Sequence, residues 1–184
     1  MEPGGKTGDG LLSADPAIDL ETVATVLGEL EGGLNILRAR GATDFSAWGG
    51  SMGAALLLLL AERERFDSLV LMIPVIDWNA ILDNPAMEAV RARLREAGYL
   101  DALVVRAFAA VSPDDRLWLP GSTKALIQYA RFDRLTPESL TSDFARKYGI
   151  EASGYEESHA TILLDEKMFA DYRNFLDGLT PSNQ

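Results

Sequence analysis

Cysteine is missing from this 184-residue chain, which excludes disulfides, thiolate catalysis and cysteine-bound metals. Histidine occurs once, as His159, so a reaction that needs a base near neutral pH has a single imidazole available. Long apolar runs are missing as well, because the longest, residues 54–61, is far shorter than a membrane span. We therefore expect a protein without a membrane-spanning segment, a metal or a cofactor.

Positive charge is also scarce. The chain has 17 basic and 28 acidic residues and a net charge of −11, which opposes binding to phosphate backbones and anionic membranes. We therefore expect no nucleic-acid partner. Residues 1–10 lack the apolar stretch of a signal peptide, which favours a cytoplasmic protein.

The length and composition are typical of one globular domain covering residues 1–184, with 47% hydrophobic and 24% charged residues. Residues 1–18 are rich in Gly, Pro, Asp and Ser, which predicts an irregular N-terminus. Apolar residues then recur at helical spacing over residues 20–40, with Asp19 as a candidate N-cap.

Short apolar segments alternate with helical ones along the rest of the chain. The pattern predicts strands at residues 44–48, 68–75, 123–129 and 150–155, and helices at 54–65, 136–149 and 165–178. Residues 83–118 read as a helical insertion that would cap a site. This alternation predicts an α/β fold, with a mainly parallel sheet of about four recognisable strands and helices on both faces.

One motif in this pattern carries chemistry. Residues 49–53, GGSMG, match G-x-S-x-G between a predicted strand and a buried helix, where a nucleophile elbow belongs. We expect Gly49 and Gly53 to be required because side chains there would strike neighbouring backbone. The alternative, a glycine-rich turn that binds a phosphate, lacks the G-x-G-x-x-G pattern of dinucleotide sites.

Three segments resemble the α/β-hydrolase superfamily, with an esterase-like character. GGSMGAALLLLLAERERFDSLVLMIPV resembles its elbow, helix and next strand, RFDRLTP its acid loop, and GYEESHATIL its histidine loop. The resemblance implies Ser51 as the nucleophile, Asp133 as the acid, His159 as the base and the Met52 backbone N–H as an oxyanion donor. Asp77, which also ends a strand after the elbow, is the alternative acid.

Four aromatic residues are candidates for the walls of a substrate pocket, although ordinary packing of the insertion is the alternative for each of them. They are Trp78, Tyr99, Phe108 and Trp118.

The resemblance is incomplete at the N-terminus. Residues 1–19 contain no full strand, so the strands that precede the elbow in such hydrolases, and the loop with the second oxyanion donor, are not recognisable. We therefore expect the strand at 44–48 to have an open edge, which either pairs two copies of the chain or is covered by residues 1–18. We also expect weak activity, since losing one oxyanion donor costs about 10²- to 10³-fold in kcat.

Together these features predict a serine hydrolase of the carboxylesterase type. It would cleave a small-molecule carboxylic ester through an acyl-serine intermediate, although the same residues would serve amide or thioester cleavage or acyl transfer. The alternative is a truncated or catalytically silent hydrolase domain that acts through binding.

Overall fold

The sheet is the centre of the fold. A computed structural model of the protein describes residues 13, 15–114, 119 and 121–178. In this part of the chain, four strands form one sheet: β1 (Ser46–Gly50), β2 (Ser68–Met72), β3 (Lys124–Ala130) and β4 (Glu151–Tyr155). The spatial order is β1-β2-β3-β4 and every pairing is parallel. The predicted α/β fold with a parallel sheet is therefore confirmed.

Seven α-helices and two short 3-10 helices connect or follow these strands within the described residues. The α-helices are α1 (Pro16–Ala39), α2 (Met52–Ala61), α3 (Trp78–Asp83), α4 (Glu88–Glu96), α5 (Asp101–Ala109), α6 (Glu138–Tyr148) and α7 (Glu166–Asp177). The 3-10 helices cover Pro85–Met87 and Thr161–Leu164.

Helices cover both faces of the sheet, as the sequence pattern predicts. Leu71 and Ile127 lie on one face and pack with buried residues of α1, α2 and α6. Met72 lies on the other face and packs with Met168 of α7. Helix α2 is apolar all round and its residues 54–61 are all buried, which is typical of a helix enclosed by the core.

The start of α1 corrects the predicted N-terminus. The helix begins at Pro16, so residues 16–18 are helical and not irregular, whereas residues 1–12 and 14 lie outside the described part. Asp15 is the N-cap, accepting a hydrogen bond from the Ala17 N–H at 2.9 Å, and Pro16 suits the first helical position. Asp19, the predicted cap, is instead buried in the first turn and accepts from the Ser13 N–H.

Several other predicted boundaries also move, and two of them follow β2. Strand β2 ends at Met72 and not at residue 75, because the backbone turns at Ile73, which has a φ of +41°, and Pro74 follows. The helical insertion begins with α3 at Trp78 rather than at residue 83, since Asp77 caps α3. In both places the observed boundary lies earlier in the chain than the sequence pattern predicts.

No helix among the described residues combines the length and the apolar character needed to cross a membrane.

Candidate active site

Ser51 forms the sharp turn between β1 and α2. Its φ is +52° and its ψ −118°, a strained region for a residue that carries a side chain. Hydrogen bonds to the end of β2 hold the turn: the Ser51 N–H donates to the Met72 carbonyl at 2.8 Å, and the Val75 N–H donates to the Ser51 carbonyl at 3.3 Å. The serine therefore projects from the carboxyl end of β1 on a backbone fixed at both sides.

The glycines around Ser51 differ in the space that they leave for a side chain. A Cβ at Gly49 would lie 2.8 Å from the carbonyl carbon and oxygen of Gly53, so this position has no room for a side chain. A Cβ at Gly50 would lie 2.7 Å from the Met72 Cε. A Cβ at Gly53 would meet nothing within 4 Å. The steric expectation therefore agrees with the structure at Gly49 and is wrong at Gly53, whose own backbone is what approaches Gly49.

His159 connects Ser51 to Asp133 through both ring nitrogens. The loop after β4 carries the histidine, and its Nε2 lies 3.1 Å from the Ser51 Oγ. Its Nδ1 lies 2.7 Å from the Asp133 Oδ2. The side chain of His159 is 25% exposed, whereas that of Asp133 has no exposed surface. The structure thus brings together three residues that are far apart in the sequence.

Backbone hydrogen bonds join the two loops that carry Asp133 and His159. The Arg131 N–H donates to the Tyr155 carbonyl and the Phe132 N–H donates to the Glu157 carbonyl, both at 2.9 Å. These bonds continue the β3–β4 pairing beyond the end of the sheet. The distance between Asp133 and His159 is therefore set by main-chain structure and not by side chains alone.

Asp133 is held by its own loop as well as by the histidine. Its Oδ1 accepts from the backbone N–H groups of Leu135 and Thr136 at 2.8 and 2.9 Å. Its Oδ2 accepts from the Thr136 hydroxyl at 2.6 Å. Burial raises the pKa of the Asp133 carboxyl, but hydrogen bonds from His159 and Thr136 outweigh it and lower the pKa below its ordinary value. The carboxyl group is therefore ionised near neutral pH.

Asp77, the alternative acid, has a different partner. It is the N-cap of α3, and its carboxylate accepts from the Asn79 N–H at 2.8 Å. An aspartate that satisfies the first turn of a helix has an ordinary structural role. Thr136 is the residue that sequence reasoning missed, because a threonine three residues after Asp133 carries no signal of its own.

Met52 is the first residue of α2. Its backbone N–H is one of the amides that a helix leaves without an intrahelical acceptor, and the helix dipole gives this end a partial positive charge. Such a group, next to a nucleophile, can donate a hydrogen bond to an oxygen that becomes negative.

Two of the four predicted pocket aromatics are buried in the packing of the helical insertion. Trp78 and Phe108 are 3% and 4% exposed, and their ring centroids are 6.4 Å apart in the core of the helical insertion. The interaction of the Tyr99 hydroxyl with the Asp15 carboxylate raises the pKa of Tyr99. Trp118 lies outside the described residues. The partly buried Met52 side chain packs against the cluster of Trp78 and Phe108, so the insertion contacts the elbow through this residue.

In the part of the chain that the structure describes, no group of three or more histidine or acidic residues is arranged to hold a metal ion.

Comparison with known proteins gives the fold. No protein-family model matches the chain and no curated protein matches it. Among solved structures, it is similar to an α/β hydrolase enzyme from a metagenome of lagoon sediments at Mar Chica, Morocco. The TM-score is 0.57 and the identity 18%, over 85% of this chain and 70% of that one.

Two archaeal proteins are similar at the same level. An esterase of Pyrococcus furiosus gives a TM-score of 0.55 at 18% identity, over 82% of this chain and 61% of that one. An acylaminoacyl peptidase of Pyrococcus horikoshii gives 0.62 at 13% identity, over 87% of this chain but only 29% of that one. This chain therefore has the α/β-hydrolase fold, over less than two thirds of the length of either archaeal protein.

Proposed function

We propose that the protein is a serine hydrolase that cleaves carboxylic esters through an acyl-serine intermediate. The observation that carries the proposal is the unbroken path of hydrogen bonds from the Ser51 Oγ through His159 to the buried Asp133 carboxylate. It starts at a serine on a strained strand-to-helix turn, the geometry expected of an activated nucleophile.

Each residue then has one role in the reaction. The Ser51 Oγ attacks the ester carbonyl carbon while the His159 Nε2 takes the hydroxyl proton. Asp133 holds the other ring nitrogen and stabilises the imidazolium. The Met52 N–H donates to the oxygen that becomes negative. His159 next gives its proton to the departing alcohol, and water repeats the sequence on the acyl-serine to release the acid.

Several observations favour this chemistry over binding alone. The pKa of Asp133 is lowered, so the acid is charged when the imidazolium forms. Two of the similar structures are named as an esterase and an acylaminoacyl peptidase, and both names denote cleavage of an acyl group from oxygen or nitrogen. The choice of an ester rests on the esterase-like sequence segments.

A catalytically silent domain that acts through binding is the second candidate. It is favoured by the position of β1, which pairs only with β2 in the described part of the chain. No neighbouring strand is therefore seen there to carry a second oxyanion donor. Low turnover on esters stays a prediction of the first candidate, and complete absence of turnover is the prediction of the second.

Substitution of the nucleophile separates the two candidates. Ser51→Ala should lower kcat on a short-chain nitrophenyl ester by about 10³-fold or more, because the acyl-serine can no longer form. Ser139→Ala is the matched control, since this serine is exposed on α6. Undiminished turnover by Ser51→Ala, with the circular dichroism spectrum of the wild type, would contradict the proposal.

A further inference from the structure

The Asp133 Oδ2 is shared by two donors. The His159 Nδ1 lies 2.7 Å from it and the Thr136 Oγ1 lies 2.6 Å from it. The other carboxylate oxygen accepts two backbone N–H groups from the acid loop. Thr136 therefore supplies the one side-chain donor that competes with the histidine for the same oxygen.

Thr136 is enclosed by neighbouring residues, and its hydroxyl donates to the Asp133 Oδ2. The residue is 4% exposed, and Pro137 follows it, which restricts its backbone to extended conformations. Beside it lies a cavity of about 10 Å³, with Ile81, Leu140 and Thr141 among its lining residues. A cavity of this size is at the lower limit for one water. A methyl group in place of the hydroxyl would remove the side-chain donor that Oδ2 has besides His159.

We propose that Thr136 is a positioning residue. Its hydroxyl fixes the Asp133 carboxylate and, through the shared oxygen, sets the basicity of His159. This inference rests on the proposed function. A hydroxyl that donates to Oδ2 takes up part of its negative charge. Less charge then remains to stabilise the protonated imidazole. Removal of the hydroxyl should therefore make His159 hold its proton to higher pH.

Charged residues also lie on the elements that neighbour this region, and all of them stay the same in the variants compared below. They are Arg131 and Arg134 in the acid loop, Glu156 and Glu157 in the histidine loop, Asp77 at the start of α3 and Glu138 at the start of α6. Arg131 pairs with Glu156 at 2.8 Å on the surface. A difference between variants at Thr136 therefore reports the hydroxyl and not these charges.

The single histidine makes the test direct. An untagged chain gives one imidazole Cε1–H signal in an NMR pH titration. Thr136→Val should move the midpoint of this titration to higher pH by about 0.5 or more, because Val keeps the shape and loses the donor. Thr136→Ser keeps the hydroxyl and should stay within about 0.2 of the wild type. The acidic limb of the kcat/KM profile on a nitrophenyl ester should move with the midpoint.

An unchanged or lower midpoint in a folded Thr136→Val protein would overturn the proposal, and so would Thr136→Ser behaving like Thr136→Val. If Thr136→Val does not fold, Thr136→Ala lacks the same donor and must give the same upward shift. The NMR titration needs no turnover. An inactive wild-type protein would therefore refute the proposed function while the midpoints still decide the role of Thr136.

Discussion

The carboxyl end of the sheet and its β1 edge differ in how fully their hydrogen-bonding groups are paired. At the carboxyl end, both Asp133 oxygens and both His159 nitrogens have hydrogen-bond partners. At the edge, β1 pairs only with β2 within the described residues. The chain itself supplies the groups that hold Asp133 and His159, but it leaves one side of β1, the strand that leads to Ser51, unpaired where the structure describes it.

Three residues in one row across the sheet make the difference measurable. Trp48, Val70 and Leu126 are neighbours in register on the same face. Val70 and Leu126 are 1% and 2% exposed, whereas Trp48 on β1 is 45% exposed. The row of side chains that is buried in the middle of the sheet is therefore half-exposed where it reaches β1.

The largest effect is expected from a substitution of Asp133, at the carboxyl end of the sheet. Asp133→Asn should lower kcat by about 10²- to 10⁴-fold, because an amide cannot stabilise the imidazolium and favours the wrong tautomer. Asp77→Asn is the matched control, since asparagine caps a helix as well as aspartate does, and its kcat should stay within about threefold of the wild type. Steady-state kinetics on one nitrophenyl ester compares all three proteins.

The opposite ranking of these two variants would transfer the role of the acid to Asp77. Equal and full activity of both would remove the acid from the mechanism altogether.

A smaller effect is expected at the open edge. We predict that β1 pairs with β1 of a second copy, because an unpaired apolar edge is a template for another strand. Sedimentation should then give the mass of two copies for the wild type over a roughly hundredfold range of concentration. Trp48→Lys should give one copy, whereas Leu100→Lys, a matched change at a 75% exposed residue of the insertion, should not alter the mass. A wild-type protein that is a single copy throughout would favour the other expectation, coverage of the edge by the N-terminal residues.

The sequence predicted the elements that depend on strong local patterns. Strands β1 to β4 lie within three residues of their predicted bounds. The apolar runs of β2 and β3 leave few alternatives, whereas β4 has only a weak strand pattern. The places of the elbow and of the acid and histidine loops followed from the motif and from the resemblance. What could not be predicted depends on packing in three dimensions: that Gly53 has free space beside it, and that Trp78 and Phe108 pack against each other.

Thr136 illustrates the same limit at the site itself. A threonine three residues after an aspartate is unremarkable in a sequence. Its importance becomes visible only in the structure. There the Thr136 hydroxyl and a histidine 23 positions later both hydrogen-bond to the same oxygen of Asp133. The start of α1 is different, because Asp15 and Pro16 together form an ordinary helix-start signal. That boundary could have been read from the sequence.

Labelling with a fluorophosphonate tests the central claim most directly, because the probe reacts with an activated serine and needs no knowledge of the natural substrate. We expect a single adduct, mapped by mass spectrometry to the peptide that contains Ser51. The adduct should be absent in Ser51→Ala and form more slowly in Asp133→Asn. A folded wild-type protein that takes up no probe, or takes it up at another residue, would contradict the account.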